Sequence, residues 1–208
     1  MPTNVKRGLG IAAATAALLL AGLALLWHLT RGLTSFTTES WRRAAILESP
    51  RALPEVVLED HLGQSVALRS LCGQVLVINF VYTHCPGVCS ALGAGAAQLA
   101  LRMQDVIADG RVAVLSISFD PQRDTPKQLA RFKRGLDASG SAWRVLRAPS
   151  QADTQTLLEL MGVVVIDDRR GGFDHNAAWH VVDRSCQLRR IMDLDDTDAV
   201  EALVRSWL

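Results

Sequence analysis

The sequence predicts an α/β domain, a mixed central sheet flanked by helices, standing behind a single N-terminal membrane-spanning helix. Three observations carry this: an uncharged apolar stretch over residues 8–27, an alternation of β-type and helix-type patterns from residue 54 onward, and the run VLVINFV over residues 75–81. The 208 residues hold one ordinary domain plus an appendage, and 49% hydrophobic with 21% charged residues is the composition of a chain that folds. The formal charge of +1 offers nothing to a polyphosphate, so no nucleic-acid partner is expected.

The stretch over residues 8–27, GLGIAAATAALLLAGLALLW, is long enough for a helix to cross ~30 Å of hydrocarbon. Lys6 and Arg7 precede it and retain residues 1–7 in the cytoplasm, although Arg31, Arg42 and Arg43 on the far side weaken the asymmetry. A cleaved signal peptide has a shorter apolar core, ~7–15 residues, ending in small residues. This one ends in Leu25, Leu26 and Trp27, so an uncleaved anchor is expected and the remaining chain lies outside the cytoplasm. Residues 28–53 mix polar and apolar positions, with Pro50 and Pro54 at their end, and read as a tether.

The folded domain is expected over residues 54–208. Short β-type runs at 56–58 and 66–68 lead to 75–81, which reads as a central strand buried on both faces. A helix from Pro86 to about Gln104, a strand over 112–118, a helix from Pro126 to about Leu136 and a short strand over 143–146 follow in βαβ rhythm. A helix over 152–161, a β-type run at 163–166, strands at 178–182 and 188–192 joined by a hairpin turn at 183–187, and a helix over 197–207 complete the domain.

The strongest chemical signal is FVYTHCPGVC over residues 80–89, where a buried strand gives way to a helix. Pro86 suits a first helical turn, so Cys85 sits beside unpaired N–H groups and the positive end of the dipole, which favours its thiolate. Spacing of four places Cys89 one turn further on the same face. The two sulfurs can then share one ion or join to each other, and both uses stay open here. Of five histidines, His28 borders the anchor and His61 lies in the first hairpin turn, leaving His84, His175 and His180 as candidates.

Three blocks in order make the resemblance specific: VYTHCPGVC over 81–89, SISFDPQRDTP over 116–126 and DHNAAWHVVD over 174–183. With them, residues 54–208 resemble the Sco/SenC family of copper chaperones. The resemblance implies a thioredoxin-like fold in which the strand after His175 runs antiparallel beside residues 75–81, and it implies copper ligation by Cys85, Cys89 and His175. Two thiolates with one imidazole suit Cu(I), and the same set takes Cu(II) when oxygen completes it. His84 and Asp120 are further candidates for a fourth ligand. Asp124 or Thr125 is expected to cap the helix at Pro126. Ser90 stands where the family usually has proline, and Cys72 and Cys186 are additional.

The functions implied are two. The first is a metallochaperone that receives copper from a donor protein and delivers it to the copper site of cytochrome c oxidase subunit II. It would sit in the bacterial inner membrane as a single-pass protein, anchored through residues 8–27, with its domain in the periplasm. The second is a periplasmic thiol–disulfide oxidoreductase in which Cys85 attacks and Cys89 resolves. In the antiparallel pairing the resemblance implies, the start of one strand meets the end of the other, which brings Cys72 and Cys186 together as a structural disulfide at the pole opposite the copper ligands.

Overall fold

The computed structural model describes residues 3–33, 37–85, 88–136 and 142–208, and the chain divides into two compact units, Met1–Ala45 and Ile46–Leu208. In the first unit, helix α1 (Thr3–Leu29) contains the apolar span Gly8–Leu29, 22 residues with a mean hydropathy of 2.3 and no buried position. By length and composition it can cross a membrane. After it, Gly32 takes a left-handed φ of +74° and donates to Trp27 O at 2.8 Å, while Trp41 Nε1 donates to Leu29 O at 3.0 Å.

The expected tether carries more structure than its composition suggested. Helix α2 (Thr38–Glu48) places Ile46 fully inside the core of the second unit, and Leu53 is also buried there. Strand β1 (Arg51–Ala52) pairs with residues 187–188. The compact unit therefore begins at Ile46 rather than at residue 54. The order of this segment comes from contacts with distant residues, to which local composition is blind.

The second unit is built on strands β2 (Val57–Asp60), β3 (Ser65–Ala67), β4 (Val75–Val81), β5 (Val112–Ser118), β6 (Arg144–Arg147), β9 (Trp179–Val182) and β10 (Gln187–Met192), with β1 at one edge. Their order is β1-β10-β9-β4-β5-β6-β2-β3. The central strand β4 pairs parallel with β5 and antiparallel with β9, and β5 pairs parallel with β6, so the sheet is mixed. Every residue of β4 and β5 is buried, as strands covered on both faces require. Side chains of β4 alternate between two cores: Leu76, Ile78 and Phe80 face one, Val75 and Val77 the other. The single polar residue of the strand, Asn79, is accommodated by partners. Its Nδ2 donates to Leu92 O, its Oδ1 accepts from Ser116 Oγ, and Ser116 Oγ accepts from the buried Trp143 Nε1.

Helix α3 (Val88–Arg102) follows β4, with α4 (Gln104–Ala108) after a break at Met103. The helix expected from Pro86 is thus seen from Val88; Pro86 and Gly87 lie outside the described residues. Helix α5 (Pro126–Gly135) is capped by Thr125, whose side chain accepts from Gln128 N. Helix α6 (Gln151–Met161) is capped by Ser150 and closed by Gly162 in the left-handed conformation at φ 68°. Helix α7 (Thr197–Ser206) ends the unit. The apolar run at 163–166 resolves into β7 (Val165–Asp167), which pairs with β8 (Phe173–His175) in a separate two-stranded sheet.

At the end of the sheet where β4 begins, Cys72 and Cys186 form a disulfide with Cα atoms 5.3 Å apart. Cys186 adopts φ +61° in the β9–β10 turn, which Asp183 organises by accepting from Ser185 N and Gln187 N.

Candidate metal centre

At the opposite end, β4 runs out through Tyr82, Thr83 and His84 to Cys85. Cys85 N donates to Tyr82 O at 3.4 Å, a turn that aims the chain at α3, and the Cys85 sulfur accepts from Cys89 N at 3.4 Å. Neither is in a disulfide; Cys85 is half-buried and Cys89 is fully buried. Burial pushes the Cys89 thiol up to about 12, against a lowering hydrogen bond from the Tyr82 backbone, and neighbouring Cys85 and Asp124 raise it further. Cys89 is therefore a protonated thiol at neutral pH, and a metal ion must displace that proton to bind it.

The third donor arrives from the small sheet. His175 closes β8, opposite Val165 of β7, and its Nε2 lies 3.9 Å from the Cys89 sulfur. Metal–sulfur and metal–nitrogen bonds of ~2.3 and ~2.0 Å sum to more than this gap, so one ion can touch both without moving the backbone. Phe119 packs edge-on against the imidazole at 5.0 Å. Burial lowers the His175 pKa, with Asp174 partly opposing, and a neutral imidazole is the form that binds a metal. Its Nδ1 is buried with no hydrogen-bond partner among the described residues. Two soft sulfurs and a neutral, half-buried imidazole are a donor set that fits copper.

The other candidates lie elsewhere. His84 is exposed, with Nδ1 3.4 Å from Asp124 Oδ1 and 3.3 Å from Thr83 Oγ1. His180 sits in β9 in register with Ile78, its ring edge-on to Phe80. Asp120 is ion-paired with Arg123. His84, Asp120 and Asp124 do converge, with ligand atoms within 4.8 Å of one another. The carboxylate of Asp124 is already occupied, however: it accepts from Thr83 N at 2.9 Å, Thr83 Oγ1 at 2.5 Å and Ser118 Oγ at 2.5 Å, and it is completely buried. Asp124 thus wires the cysteine loop to β5, and of the two capping candidates it is Thr125 that caps α5.

Sequence reasoning missed the surroundings of the imidazole. Tyr82, Phe119 and Phe173 form an aromatic cluster with centroids 5.2 to 5.7 Å apart, brought together from three segments. The only sequence signal was indirect, since Tyr82 and Phe119 each stand directly after a buried strand.

The family model described as SCO1/SenC matches residues 47–207. A relative from Bacillus subtilis, "SCO1 protein homolog", is 32% identical over 126 residues, 60% of this chain and 64% of the relative's length. The structure of Bradyrhizobium japonicum ScoI with copper bound shares 25% identity and a TM-score of 0.62, covering 77% of this chain and 98% of that one. That of BsSco, described as a member of the Sco family of cytochrome c oxidase assembly proteins, shares 22% identity and a TM-score of 0.66, covering 76% and 94%. With its thioredoxin-like sheet and a family match that runs from the last residues of α2 through α7, the chain belongs to the SCO1/SenC family.

Proposed function

We propose that this chain is a copper metallochaperone: Cys85, Cys89 and His175 hold the metal, and the domain delivers it to the copper site of cytochrome c oxidase subunit II. The observation that carries the reading is the 3.9 Å approach of His175 Nε2 to the Cys89 sulfur, across 86 residues of sequence. A thiol–disulfide exchange needs only two sulfurs, and a resolving thiol held near 12 attacks poorly at neutral pH, so the oxidoreductase alternative gains nothing from this arrangement. Copper-bound ScoI and the assembly role stated for BsSco support the same reading.

The unequal burial of the sulfurs suggests how cargo leaves. Cys85 is the more accessible ligand, so an acceptor thiolate replaces it first, while Cys89 and His175 retain the ion until a second acceptor group arrives. In this reading residues 1–7 stay in the cytoplasm, residues 8–27 anchor the chain in the bacterial inner membrane, and the domain works in the periplasm beside a membrane-bound acceptor and a copper donor protein.

Metal analysis of the full, reduced chain in detergent tests the proposal. One copper per chain is expected; Cys85→Ser or Cys89→Ser abolishes binding, and His175→Ala weakens it by roughly tenfold or more. Equal copper retained after desalting by the wild type and the Cys85→Ser/Cys89→Ser double variant would overturn it.

A further inference from the structure

The two halves of the candidate metal centre come from separate segments, the cysteine loop after β4 and the β7–β8 hairpin that carries His175. The hairpin cannot place itself: its strands are three residues each and form their own sheet, and an isolated pair of this size is marginal in water. At the base, Asn176 Oδ1 accepts from Val164 N at 2.7 Å and Nδ2 donates to Gly162 O at 3.2 Å, which ties the hairpin to the end of α6. Along β8, Tyr82 and Phe119 pack against the Phe173 ring, and the Tyr82 hydroxyl accepts from Phe173 N at 3.1 Å. The turn over residues 168–172 closes on itself, Asp168 Oδ1 accepting from Arg170 N and Gly172 N. Among the described residues, one hydrogen bond joins that turn to the body of the unit: Arg123 Nη1 donates to Gly171 O at 2.7 Å.

Arg123 makes two further contacts. Its Nε is ion-paired with the buried Asp120, and its guanidinium lies 5.2 Å from the Phe173 ring centroid. A planar fork serves these three directions together, which the single ammonium of a lysine does not. Phe173 and His175 stand two apart on β8 and share a face of the strand, and Phe119 packs against both rings. What fixes Phe173 therefore also directs the imidazole. The turn that carries Arg123 is itself anchored: Asp120 N donates to Ser118 Oγ at 3.1 Å, and Arg147 of β6 donates to Pro121 O at 2.8 Å. Its next residue, Asp124, reaches the other half of the site and accepts from Thr83 N and Thr83 Oγ1 in the cysteine loop. We propose that Arg123 is a positioning residue of the metal centre: from a turn that holds the cysteine loop through Asp124, it holds the histidine hairpin through Gly171 and Phe173, and so sets the separation of the sulfur and imidazole ligands. Its side chain is 36% exposed and lies outside both cores, so its loss frees the hairpin without unfolding the domain.

Two measurements test this; the copper readout rests on the function proposed above, and the exchange readout does not. The full chain in detergent is compared with Arg123→Gln, His175→Ala and the two combined. In the metal-free protein, amide exchange at Gly172 and Phe173 should quicken roughly tenfold in Arg123→Gln, while Thr83, held by Asp124, keeps its rate. Unchanged exchange at residues 172–173 overturns the hold on the hairpin. Equal quickening at Thr83 overturns its assignment to Arg123, because the whole turn has then loosened. In copper titrations of the reduced chains, Arg123→Gln should weaken binding roughly tenfold when His175 is present and by less than about twofold in the His175→Ala background. A residue that acts through the imidazole has nothing to position once the imidazole is gone. An equal loss in both backgrounds overturns that route, and so does the absence of any loss with His175 present. Should Arg123→Gln fail to fold, Arg123→Lys, which keeps the charge beside Asp120, carries the same cycle. If the wild type takes up no copper, the function proposed above fails, and the exchange measurement alone decides whether Arg123 holds the hairpin.

Discussion

The two ends of β4 each carry a pair of cysteines, and the protein treats them in opposite ways. At the end where β4 starts, Cys72 and Cys186 come from segments 114 residues apart and are covalently joined. At the end where β4 stops, Cys85 and Cys89 are four residues apart, Cys85 before α3 and Cys89 in its first turn, and neither is in a disulfide. The difference lies in the backbone. The antiparallel register of β4 with β9, Leu76 opposite Val182, delivers the first pair face to face from two fixed segments. The second pair is separated by the start of α3, which lets Cys89 sink into the core while Cys85 stays half-exposed. One end is locked by a covalent bond, and the other is kept open by polar wiring and an aromatic cluster.

Breaking the locked end should have the largest effect on stability and the smallest on the metal site. Closing a loop of more than 100 residues is worth up to ~5 kcal/mol on the chain-entropy model. The Cys72→Ser/Cys186→Ser variant should lose most of that in denaturant unfolding, read as a lower midpoint with unchanged copper stoichiometry. Loss of copper binding in a variant that is still folded would show that the two ends are coupled rather than independent.

The open end should break at Asp124. Its buried carboxylate accepts three hydrogen bonds from Thr83 and Ser118, and an amide in its place turns two hydrogens toward donors. Asp124→Asn should cost ~2–3 kcal/mol and weaken copper binding together, because the displaced Thr83 lies two residues before Cys85. A variant with full copper affinity and that stability loss would remove Asp124 from the support of the site and leave it a fold residue only.

How much of this was legible in the sequence follows the same divide. The locked end rests on β4, β9 and the β9–β10 turn, whose apolar runs and turn residues announce themselves locally, but the antiparallel pairing that makes Cys72 and Cys186 neighbours came from the family resemblance rather than from those runs. The open end was legible in its cysteines, since a strand-to-helix corner is marked by an apolar run followed by proline. The hairpin was not legible. Phe173, Asp174 and His175 include one apolar residue, too few to show a period, and their strand exists because Tyr82, Arg123 and Asn176 hold it from outside. The 46–53 segment escaped for a similar reason: Arg51 becomes a strand residue only opposite Leu188. Periodicity reports what a segment buries against its own element, and both of these segments are ordered by distant partners.

The smallest effect expected is on the apo stability of His175 variants, and it sharpens the comparison most. A buried imidazole nitrogen without a partner costs stability, whereas the ring's packing against Phe119 contributes to it. His175→Phe keeps a ring of similar size in the same place and removes the unsatisfied nitrogen, so apo stability at neutral pH should be unchanged or higher by up to ~1 kcal/mol while copper binding is lost. The two proteins should diverge in acid. Because the folded His175 pKa lies below its unfolded value of 6.5, the unfolded state takes up the proton first, and the wild type loses stability as pH falls from about 6.5 through the folded pKa. His175→Phe lacks this loss, so the gap between the two should widen in its favour across that window. Unfolding midpoints measured at pH 7.5 and pH 5 check both parts. A variant less stable than the wild type at both values would mean that the imidazole stabilises the apo fold, and the site would then owe its histidine to packing rather than to a ligand held at the expense of stability.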